Sequence, residues 1–464
     1  MFKDFADGDF ELILKQKIFR RNGDKMQELK NLMRERGIIG AGGAGFPSYA
    51  KLAEGADLLV INGAECEPLL YTDYILLRDE LSMVISGIAE VLSKARIPKA
   101  LLAIKAHTAA RLGMTDGEKL SDKIYVRILP DVYPMGDEIS LIYEATGRLI
   151  KPGKLPITEG VIVYNVETMY NLGRAIRFGE SVTKKWVTIG GDIKNPTVIK
   201  VPIGVKISDI FKKLNIEVKE GYTVIDGGPS MGKVINPSNY CVTKTTKGIL
   251  ILPDYTQAIL SKKMDATMAT KRAETACCQC TRCTDMCPRH LLGYPLEPHK
   301  MVRTAMGAAS AMPEMVISAT LCCACGICES LACNQGISPR AVIDNYKKLL
   351  SKNKLRFDKN GEYSVRNERE YRMVPSEKWE SMLGISKFDK VADFGGEIND
   401  FSIVEIPLNR HIGAPSVIAV KDGDSISEGD LIAAANEGLS VPQHASISGT
   451  VTISSNKIII DKVR

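Results

Sequence analysis

Two runs of cysteines stand out because their spacing suits metal–sulfur chemistry. The first run is Cys277-x2-Cys280-x2-Cys283-x3-Cys287, and the second is Cys322-x2-Cys325-x2-Cys328-x4-Cys333. Thiolates at intervals of three residues can place one loop around three corners of a cubane, which is the spacing typical of a [4Fe–4S] cluster. Together the two runs predict a two-cluster ferredoxin module, which moves electrons one at a time.

The last cysteine of each run decides which thiolates share a cluster, because in two-cluster ferredoxins it ligates the other cluster. One predicted ligand set is Cys277, Cys280, Cys283 and Cys333. The other predicted set is Cys322, Cys325, Cys328 and Cys287. The second run departs from the simplest pattern, since Asn334 follows it where proline is usual. Cys278 and Cys323 are predicted not to be ligands, because a sequence neighbour of a ligand cannot easily reach the same corner.

A pair of four-cysteine zinc sites is the competing interpretation of these runs. Zinc ribbons use two CxxC pairs separated by a longer gap, whereas three cysteines in one loop are typical of cubane clusters. The spacing therefore favours iron and sulfide over zinc.

A second candidate site is the glycine-rich loop Gly40-Ala41-Gly42-Gly43-Ala44-Gly45. Its GxGxxG pattern is weak evidence alone, and residues 26–36, with helical apolar spacing, precede it where a dinucleotide-binding fold has a strand. Glycine backbone can still approach a phosphate closely and offer N–H donors. The loop by itself leaves two alternatives, a phosphate-binding loop and an ordinary tight turn.

The elements that must position these sites change in type along the chain. Residues 37–180 alternate buried strands, such as 58–61 and 160–163, with helical segments such as 80–95, which predicts an α/β domain. Residues 186–226 predict a hairpin, a short helix and a strand, as in a small β-grasp unit. From about residue 400, short apolar runs between turns predict an all-β module.

Two shorter segments carry local predictions of their own. The tetrapeptide Asp358-Lys359-Asn360-Gly361 predicts a hairpin turn between strands near residues 355 and 365. Residues 10–19 have helical apolar spacing, which fits either a helix that docks a partner or one that packs on its own domain.

The bulk composition sets the class of protein. A chain of 464 residues predicts three or four domains, and a net charge of +6 does not argue for nucleic acid. Ten of the 12 cysteines crowd into residues 277–333, which is wrong for a secreted disulfide scaffold and suits a reducing cytoplasm. No apolar stretch reaches the roughly 18 residues of a membrane span, and no signal peptide is predicted.

Four motifs in order change the interpretation of the glycine loop. They are Gly37–Pro47 with Lys51, then Asn62-Gly63-Ala64-Glu65-Cys66-Glu67-Pro68, Gly136-Asp137-Glu138, and Tyr164-Asn165-Val166-Glu167-Thr168. In this order they resemble the FMN- and NADH-binding subunit of respiratory complex I. They look still more like the C subunit of the Rnf electron-transport complex and its soluble relatives. The resemblance implies FMN in the glycine loop, NADH stacked on the flavin, and a β-grasp domain of the soluble-ligand-binding type, which residues 186–235 resemble.

The resemblance also implies roles for individual residues. Gly40, Gly42, Gly43 and Lys51 would hold the phosphate side of FMN. The ribityl chain or ring would contact Asn62, Glu65, Asn165 and Thr168. The flavin and nicotinamide face would be lined by Glu67, Gly136, Asp137 and Glu138. Ala64 and Cys66 depart from the complex I version, which has Asp and Gly at these positions.

The C-terminal residues extend the resemblance to nearly the whole chain. Residues 406–415, Gly423-Asp424 and residues 444–451 look like the barrel-sandwich hybrid that the Rnf protein has at its N-terminus. Here this module is C-terminal, which resembles the cobalamin reductases of propanediol-utilising bacterial microcompartments. His411 and His444 fit either ligands or structural hydrogen bonds.

The fold class predicted is therefore multidomain, α/β with α+β, in five segments. They are an FMN- and NADH-binding domain (1–182), a β-grasp domain (183–255), a two-cluster domain (265–345), a connector (346–400) and a barrel-sandwich hybrid (401–464).

The function that the resemblance implies is electron transfer from NADH through FMN and two [4Fe–4S] clusters to a one-electron acceptor. Cob(II)alamin is the favoured acceptor, with a corrinoid, an adenosyltransferase or another acceptor protein as partner, in the cytoplasm and inside a microcompartment. One alternative is an Rnf-type protein that transfers electrons between NADH and ferredoxin. The other is a non-enzymatic scaffold stabilised by zinc. The oligomeric state and the cluster potentials stay open.

Overall fold

The computed structural model describes residues 25–307 and 313–462. Helix α1 (residues 25–35) confirms the helical spacing that precedes the glycine loop. The helix predicted over residues 10–19 lies outside the described residues. No helix of the described ranges is long and apolar enough to cross a membrane.

The N-terminal α/β module is built on a five-stranded sheet in the order β3-β4-β2-β1-β6. Its strands are β1 (Leu58–Gly63), β2 (Ala100–Lys105), β3 (Lys119–Ser121), β4 (Ile124–Leu129) and β6 (Val161–Asn165). Its helices are α2 (Thr72–Asp79), α3 (Leu81–Lys94), α4 (Ala106–Leu112), α5 (Glu138–Thr146) and α6 (Val166–Phe178). Strands β4, β2, β1 and β6 are parallel, and β3 is antiparallel to β4. This confirms the α/β prediction.

The two faces of this sheet are buried against different parts of the chain. Along β1, Leu59 and Ile61 join a core with the helices α1, α3 and α6. Leu58 and Val60 point to the other face, where their core includes Tyr294 of the cysteine-bearing segment. Successive side chains of a strand point to opposite faces of the sheet. One face of the N-terminal sheet therefore packs directly against the cysteine module.

The second module is a six-stranded sheet in the order β10-β9-β11-β7-β8-β13. Its strands are β7 (Lys184–Gly191), β8 (Thr197–Pro202), β9 (Tyr222–Asp226), β10 (Lys233–Val234), β11 (Gly248–Pro253) and β13 (Asp393–Glu397), and its helix is α7 (Ile207–Lys213). Strands β7 and β8 form an antiparallel hairpin, and β11 lies parallel to β7 between β7 and β9. The predicted hairpin, helix and strand are all present.

The cysteine module consists of short helices around the two cysteine runs. They are α8 (Gln257–Leu260), α9 (Ala266–Ala276), α10 (Arg282–Asp285), α11 (Pro288–Leu291), α12 (Pro298–Ala305), α13 (Pro313–Ile317), α14 (Ile327–Ser330) and α15 (Pro339–Lys352). Helix α15 continues past residue 345, where the predicted connector begins.

The segment 346–400 makes extensive contacts with the other modules. Strand β12 (Val374–Pro375) pairs with β5 (Val132–Tyr133) of the N-terminal module, and β13 joins the six-stranded sheet. In helix α16 (Ser376–Leu383), Trp379 is fully buried and stacks on Tyr133, with ring centroids 4.6 Å apart. The domain limits stay predictions, but this segment is part of the packed structure.

The hairpin predicted around Asp358–Gly361 is wrong, because residues 355–366 contain no strand. Phe357 is instead buried in the core that the N-terminal sheet shares with the cysteine module. Next to it, Asp358 pairs with Lys154 at 2.8 Å. Contacts with another module therefore replace local pairing in this segment.

The C-terminal β module has two small sheets. Their strands are β14 (Ile403–Pro407), β15 (Val417–Ile418), β16 (Ser425–Ile426), β17 (Leu431–Ala434), β18 (Gln443–His444), β19 (Gly449–Ser454) and β20 (Lys457–Asp461). The sheet orders are β14-β20-β19-β16 and β15-β17-β18, which confirms the all-β prediction. Val404 and Ile458 share a core with Val187 and Ile249 of the six-stranded sheet.

Lys244 is buried where three modules meet. Its Nζ donates to the carbonyl of Gly37, just before the glycine loop, at 2.9 Å and to that of Pro442 in the C-terminal module at 3.0 Å. Burial lowers the pKa of Lys244 from 10.5 to about 7. The unfolded chain therefore binds one more proton than the folded chain between about pH 7 and 10, so this residue makes stability rise with pH across that window.

Replacing Lys244 by methionine is therefore expected to flatten the rise in unfolding free energy between about pH 7 and 10, because methionine carries no proton to release. Urea unfolding at several pH values measures this, with Lys194→Met as the control, since Lys194 is exposed on the β7–β8 turn. Parallel stability profiles for the Lys244→Met variant and the parent would contradict the prediction.

Candidate functional site

A cavity of about 610 Å³ lies between the glycine loop and the edge strand β6. This volume is in the usual range for a small-molecule or cofactor site. Seven of the residues predicted to bind a cofactor line it: Gly40, Gly42, Gly43, Lys51, Asn62, Glu138 and Asn165. The structure thus brings together residues that are as far apart in sequence as Gly40 and Asn165.

Hydrogen bonds donated by its own backbone N–H groups hold the glycine loop in place. Ala41 N donates to the Thr168 hydroxyl at 3.1 Å, and Gly40 N donates to Phe46 O at 2.8 Å. A Cβ on Gly42 would lie 3.0 Å from the Asn165 side chain, whereas a Cβ on Gly43 would meet no described atom within 4 Å. The backbone at Gly43 is therefore open to the cavity, which suits close approach by a phosphate.

Lys51 and Glu138 are the charged side chains among the described residues that line the cavity. They form an ion pair at 2.7 Å, and Lys51 Nζ also donates to Val163 O at 3.0 Å. Lys51 is therefore fixed against β6 and can serve as the cationic partner of an anionic group in the cavity.

Three of the other residues predicted to bind a cofactor form hydrogen bonds within the N-terminal module, namely Glu65, Gly136 and Thr168. Glu65 accepts from the backbone N–H groups of Asp73 and Tyr74 at the start of α2, and burial followed by the charge of Asp73 raises its pKa to about 6. Gly136 accepts from Asn62 Nδ2 at 3.0 Å. Thr168 supports the glycine loop from behind. Their contact with a cofactor stays a prediction.

The remaining two predicted residues, Glu67 and Asp137, link the N-terminal module to neighbouring modules. Glu67 accepts from the backbone N–H of Ser230 at 2.9 Å and of Met231 at 3.1 Å, in the loop after β9, and burial raises its pKa. Asp137 pairs with Arg289 of the cysteine module at 2.6 Å. Neither residue lines the cavity, so their assignment to the nicotinamide face also stays a prediction.

A buried polar network beneath the loop was missed by sequence reasoning. Lys185 pairs with Glu167 and lies 3.5 Å from Ala41 O, while Lys247 pairs with Asp73. Glu167 lies within one of the four motifs, but the two lysines lie outside all of them and have no local signal. Only the fold brings them under the loop.

The two sets of cysteines lie in separate cavities. One cavity is lined by Cys277, Cys278, Cys280, Cys283 and Cys333. The other is lined by Cys287, Cys322, Cys323, Cys325 and Cys328. Each predicted ligand set is therefore brought together, including the crossed last cysteine, and each has one additional cysteine that was predicted not to be a ligand.

The thiols in these cavities need a bound cation to be held as thiolates. Burial and neighbouring cysteines raise the pKa of Cys283 and of Cys322 to about 12, which a bound cation would reverse. In residues 25–307 and 313–462, no three His, Cys, Asp or Glu side chains are arranged to hold one metal ion. A cubane needs four thiolates at its corners, and each cavity is lined by one predicted set of four cysteines, so the donor sets fit iron–sulfur clusters.

The two cysteine sets differ in their position relative to the N-terminal module. Cys325 O accepts from the Tyr133 hydroxyl at 2.7 Å, and Cys287 and Cys322 pack in the core beneath the N-terminal sheet. We call the cavity of Cys287 and Cys322–Cys328 the inner site. In the other set, which we call the outer site, Cys278 and Cys280 are exposed.

Comparison with known families agrees with this arrangement. Residues 33–174 match the Nuo51 FMN-binding domain, residues 276–338 match a 4Fe-4S dicluster domain, and residues 397–460 match the RnfC barrel sandwich hybrid domain. The site and these domains define a class, an oxidoreductase that holds FMN and two [4Fe–4S] clusters.

Similarity to individual relatives narrows that class. The chain is 35% identical to the cobalamin reductase PduS of Salmonella typhimurium, over 93% of this chain and 96% of that protein. It is 34% identical to the PduS of Citrobacter freundii, over 92% and 94%. It is 33% identical to the C subunit of the Na(+)-translocating ferredoxin:NAD(+) oxidoreductase complex of Acetobacterium woodii, over 57% of this chain and 58% of that protein. The chain belongs to the cobalamin reductase PduS family.

Proposed function

We propose that the chain oxidises NADH and reduces a one-electron acceptor. The observation that carries the proposal is the close attachment of the inner cysteine site to the module that contains the glycine-loop cavity. Tyr133 and Asp137 of that module contact Cys325 and Arg289, so the module and the inner site are in direct contact. Bound FMN supplies the exchange between a two-electron donor and one-electron carriers.

The residues of this chain then bind FMN and the two clusters and set the order in which these cofactors lie. Lys51 and the open backbone at Gly43 hold the phosphate of FMN. The inner site, with Cys322, Cys325, Cys328 and Cys287, holds the cluster nearer the flavin. The outer site, with Cys277, Cys280, Cys283 and Cys333, holds the cluster nearer solvent. The buried position of the first and the exposed edge of the second support this order.

Cob(II)alamin is the acceptor we propose. The support is the similarity over nearly the full chain to proteins named cobalamin reductase, together with the C-terminal position of the β module. A location in the cytoplasm, inside a bacterial microcompartment, accompanies this proposal, as does a soluble-ligand-binding role for the six-stranded sheet. The second candidate is an Rnf-type role between NADH and ferredoxin, favoured by the match over 57% of the chain.

Cofactor content and an acceptor assay test the proposal. We expect about one FMN and about eight iron atoms per chain. Anaerobic mixing with NADH and cob(II)alamin should give the absorbance of cob(I)alamin, and in a second reaction an added adenosyltransferase with ATP should convert that product to adenosylcobalamin. Dye reduction without corrinoid reduction would reject cob(II)alamin and favour the Rnf-type role. Two zinc atoms and no acid-labile sulfide would reject electron transfer and leave the scaffold hypothesis.

A further inference from the structure

The outer site is surrounded by cations that have no carboxylate partner in the described ranges. Arg282 and Arg303 line its cavity, in which no described acidic side chain takes part. Arg282 donates to the amide oxygen of Asn334 at 2.6 Å, and Arg303 Nε is buried with no hydrogen-bond partner. These two side chains therefore lie beside the exposed edge of the outer site without a carboxylate partner among the described residues.

Helix α9, which leads into the first cysteine run and packs against α12, adds two more cations. Lys271 is exposed, and Arg272 donates to Gly336 O at 2.9 Å, three residues after Cys333. Glu274 is exposed on the same helix. We call the four cations Lys271, Arg272, Arg282 and Arg303 the outer basic surface.

The inner site shows the opposite arrangement. Its two lining arginines are Arg289 and Arg340. Arg289 pairs with Asp137 at 2.6 Å, and Arg340 pairs with Glu329 at 3.4 Å. Arginines around both sites could offset the charge of cluster thiolates, but in residues 25–307 and 313–462 only those of the inner site also have a carboxylate partner. The unpaired positive charge is therefore specific to the solvent-facing site, where a partner can approach.

We propose that an acidic electron-carrier protein docks on the outer basic surface. The proposal rests on the proposed function. It specifies the class of partner that takes electrons from the cluster of the outer site. One NADH gives NAD⁺, one proton and two electrons, and two molecules of the oxidised carrier each accept one electron. Opposite charge steers such encounters and raises their rate, and the effect weakens as salt screens the charges.

Two haem proteins of opposite charge serve as probes, acidic cytochrome b5 and basic cytochrome c. We expect kcat/KM for cytochrome b5 to fall about tenfold between about 20 mM and about 200 mM salt, and that for cytochrome c to rise or stay level. Lys271→Glu should lower kcat/KM for cytochrome b5 about threefold to tenfold at low salt. The matched control is Lys194→Glu, which makes the same charge change on the distant β7–β8 turn.

Binding without turnover gives an independent readout. Isothermal titration of the holoprotein with oxidised cytochrome b5, in the absence of NADH, should show weaker binding for Lys271→Glu and for Arg282→Gln than for Lys194→Glu, at equal iron and flavin contents. Equal binding by all variants, or the same salt dependence for both haem proteins, would overturn the docking proposal. If cytochrome b5 binds but NADH reduces neither haem protein, no artificial one-electron dye and no cob(II)alamin, the docking surface stands and the proposed function fails.

Discussion

Replacing Cys287 by alanine is expected to abolish the cluster of the inner site and to leave that of the outer site intact. Cys287 belongs to the first run in sequence, but its side chain lies with Cys322, Cys325 and Cys328. Loss of one thiolate removes a corner ligand, so the variant should retain about four of its roughly eight iron atoms. Iron analysis and electron paramagnetic resonance of the reduced protein measure the result.

Cys333→Ala is the reciprocal variant, because Cys333 lies with the first run. It should remove the outer cluster and spare the inner one. Cys278→Ala is the matched control, since Cys278 is an exposed cysteine of the same loop that is not expected to be a ligand. If Cys287→Ala and Cys277→Ala disturbed the same cluster, the crossed assignment would be wrong.

Replacing Lys51 by alanine is expected to reduce FMN affinity by about tenfold to hundredfold, since a hydrogen bond to a charged group contributes about 1.5–3 kcal/mol. The reason is that Lys51 is the cation on the wall of the glycine-loop cavity, held there by Glu138 and Val163 O. NADH oxidation should slow in parallel, while both clusters stay intact. Flavin fluorescence after ultrafiltration and iron content measure the two effects.

A pair of glycine variants separates loss of the ligand from damage to the loop. Gly43→Ala adds a methyl group that meets no described atom within 4 Å, so it should lower FMN retention without lowering the unfolding temperature. Gly42→Ala places its methyl group 3.0 Å from Asn165 and should disturb the loop itself. Glu138→Gln should slow NADH oxidation while the clusters remain. Full flavin content in both Lys51→Ala and Gly43→Ala would show that this cavity does not hold FMN.

Sequence reasoning succeeded where the physical signal is local. Cysteine spacing encodes how a loop can surround a cube, and strand alternation encodes which side chains face a core. The α/β and all-β modules were therefore predictable, and the structure places the cysteines in the two expected groups. The glycine loop could be interpreted as a cofactor site only together with the three motifs that follow it in the sequence. Their resemblance to a family identified candidate cofactor-binding residues, and the structure brings several of these to the wall of one cavity.

The prediction was less specific where neighbouring residues face different modules. Glu65 and Glu67 belong to one motif, yet Glu65, with φ of 35°, turns back onto α2, and Glu67 reaches the loop after β9. Nothing local could reveal that Ser230 is the partner of Glu67, more than 160 residues away. The hairpin at Asp358 failed for the same reason, because Phe357 finds its core in another module.

The contact between the glycine loop and the C-terminal β module has a consequence for biosynthesis. Gly45 O accepts from Ile412 N at 3.1 Å, and the Tyr49 hydroxyl donates to Ser440 O at 3.2 Å. The loop emerges from the ribosome hundreds of residues before these supports. Both cysteine runs are translated between them. The cysteines of both sets are therefore translated before the last supports of the flavin pocket, which are present only when translation has passed residue 440.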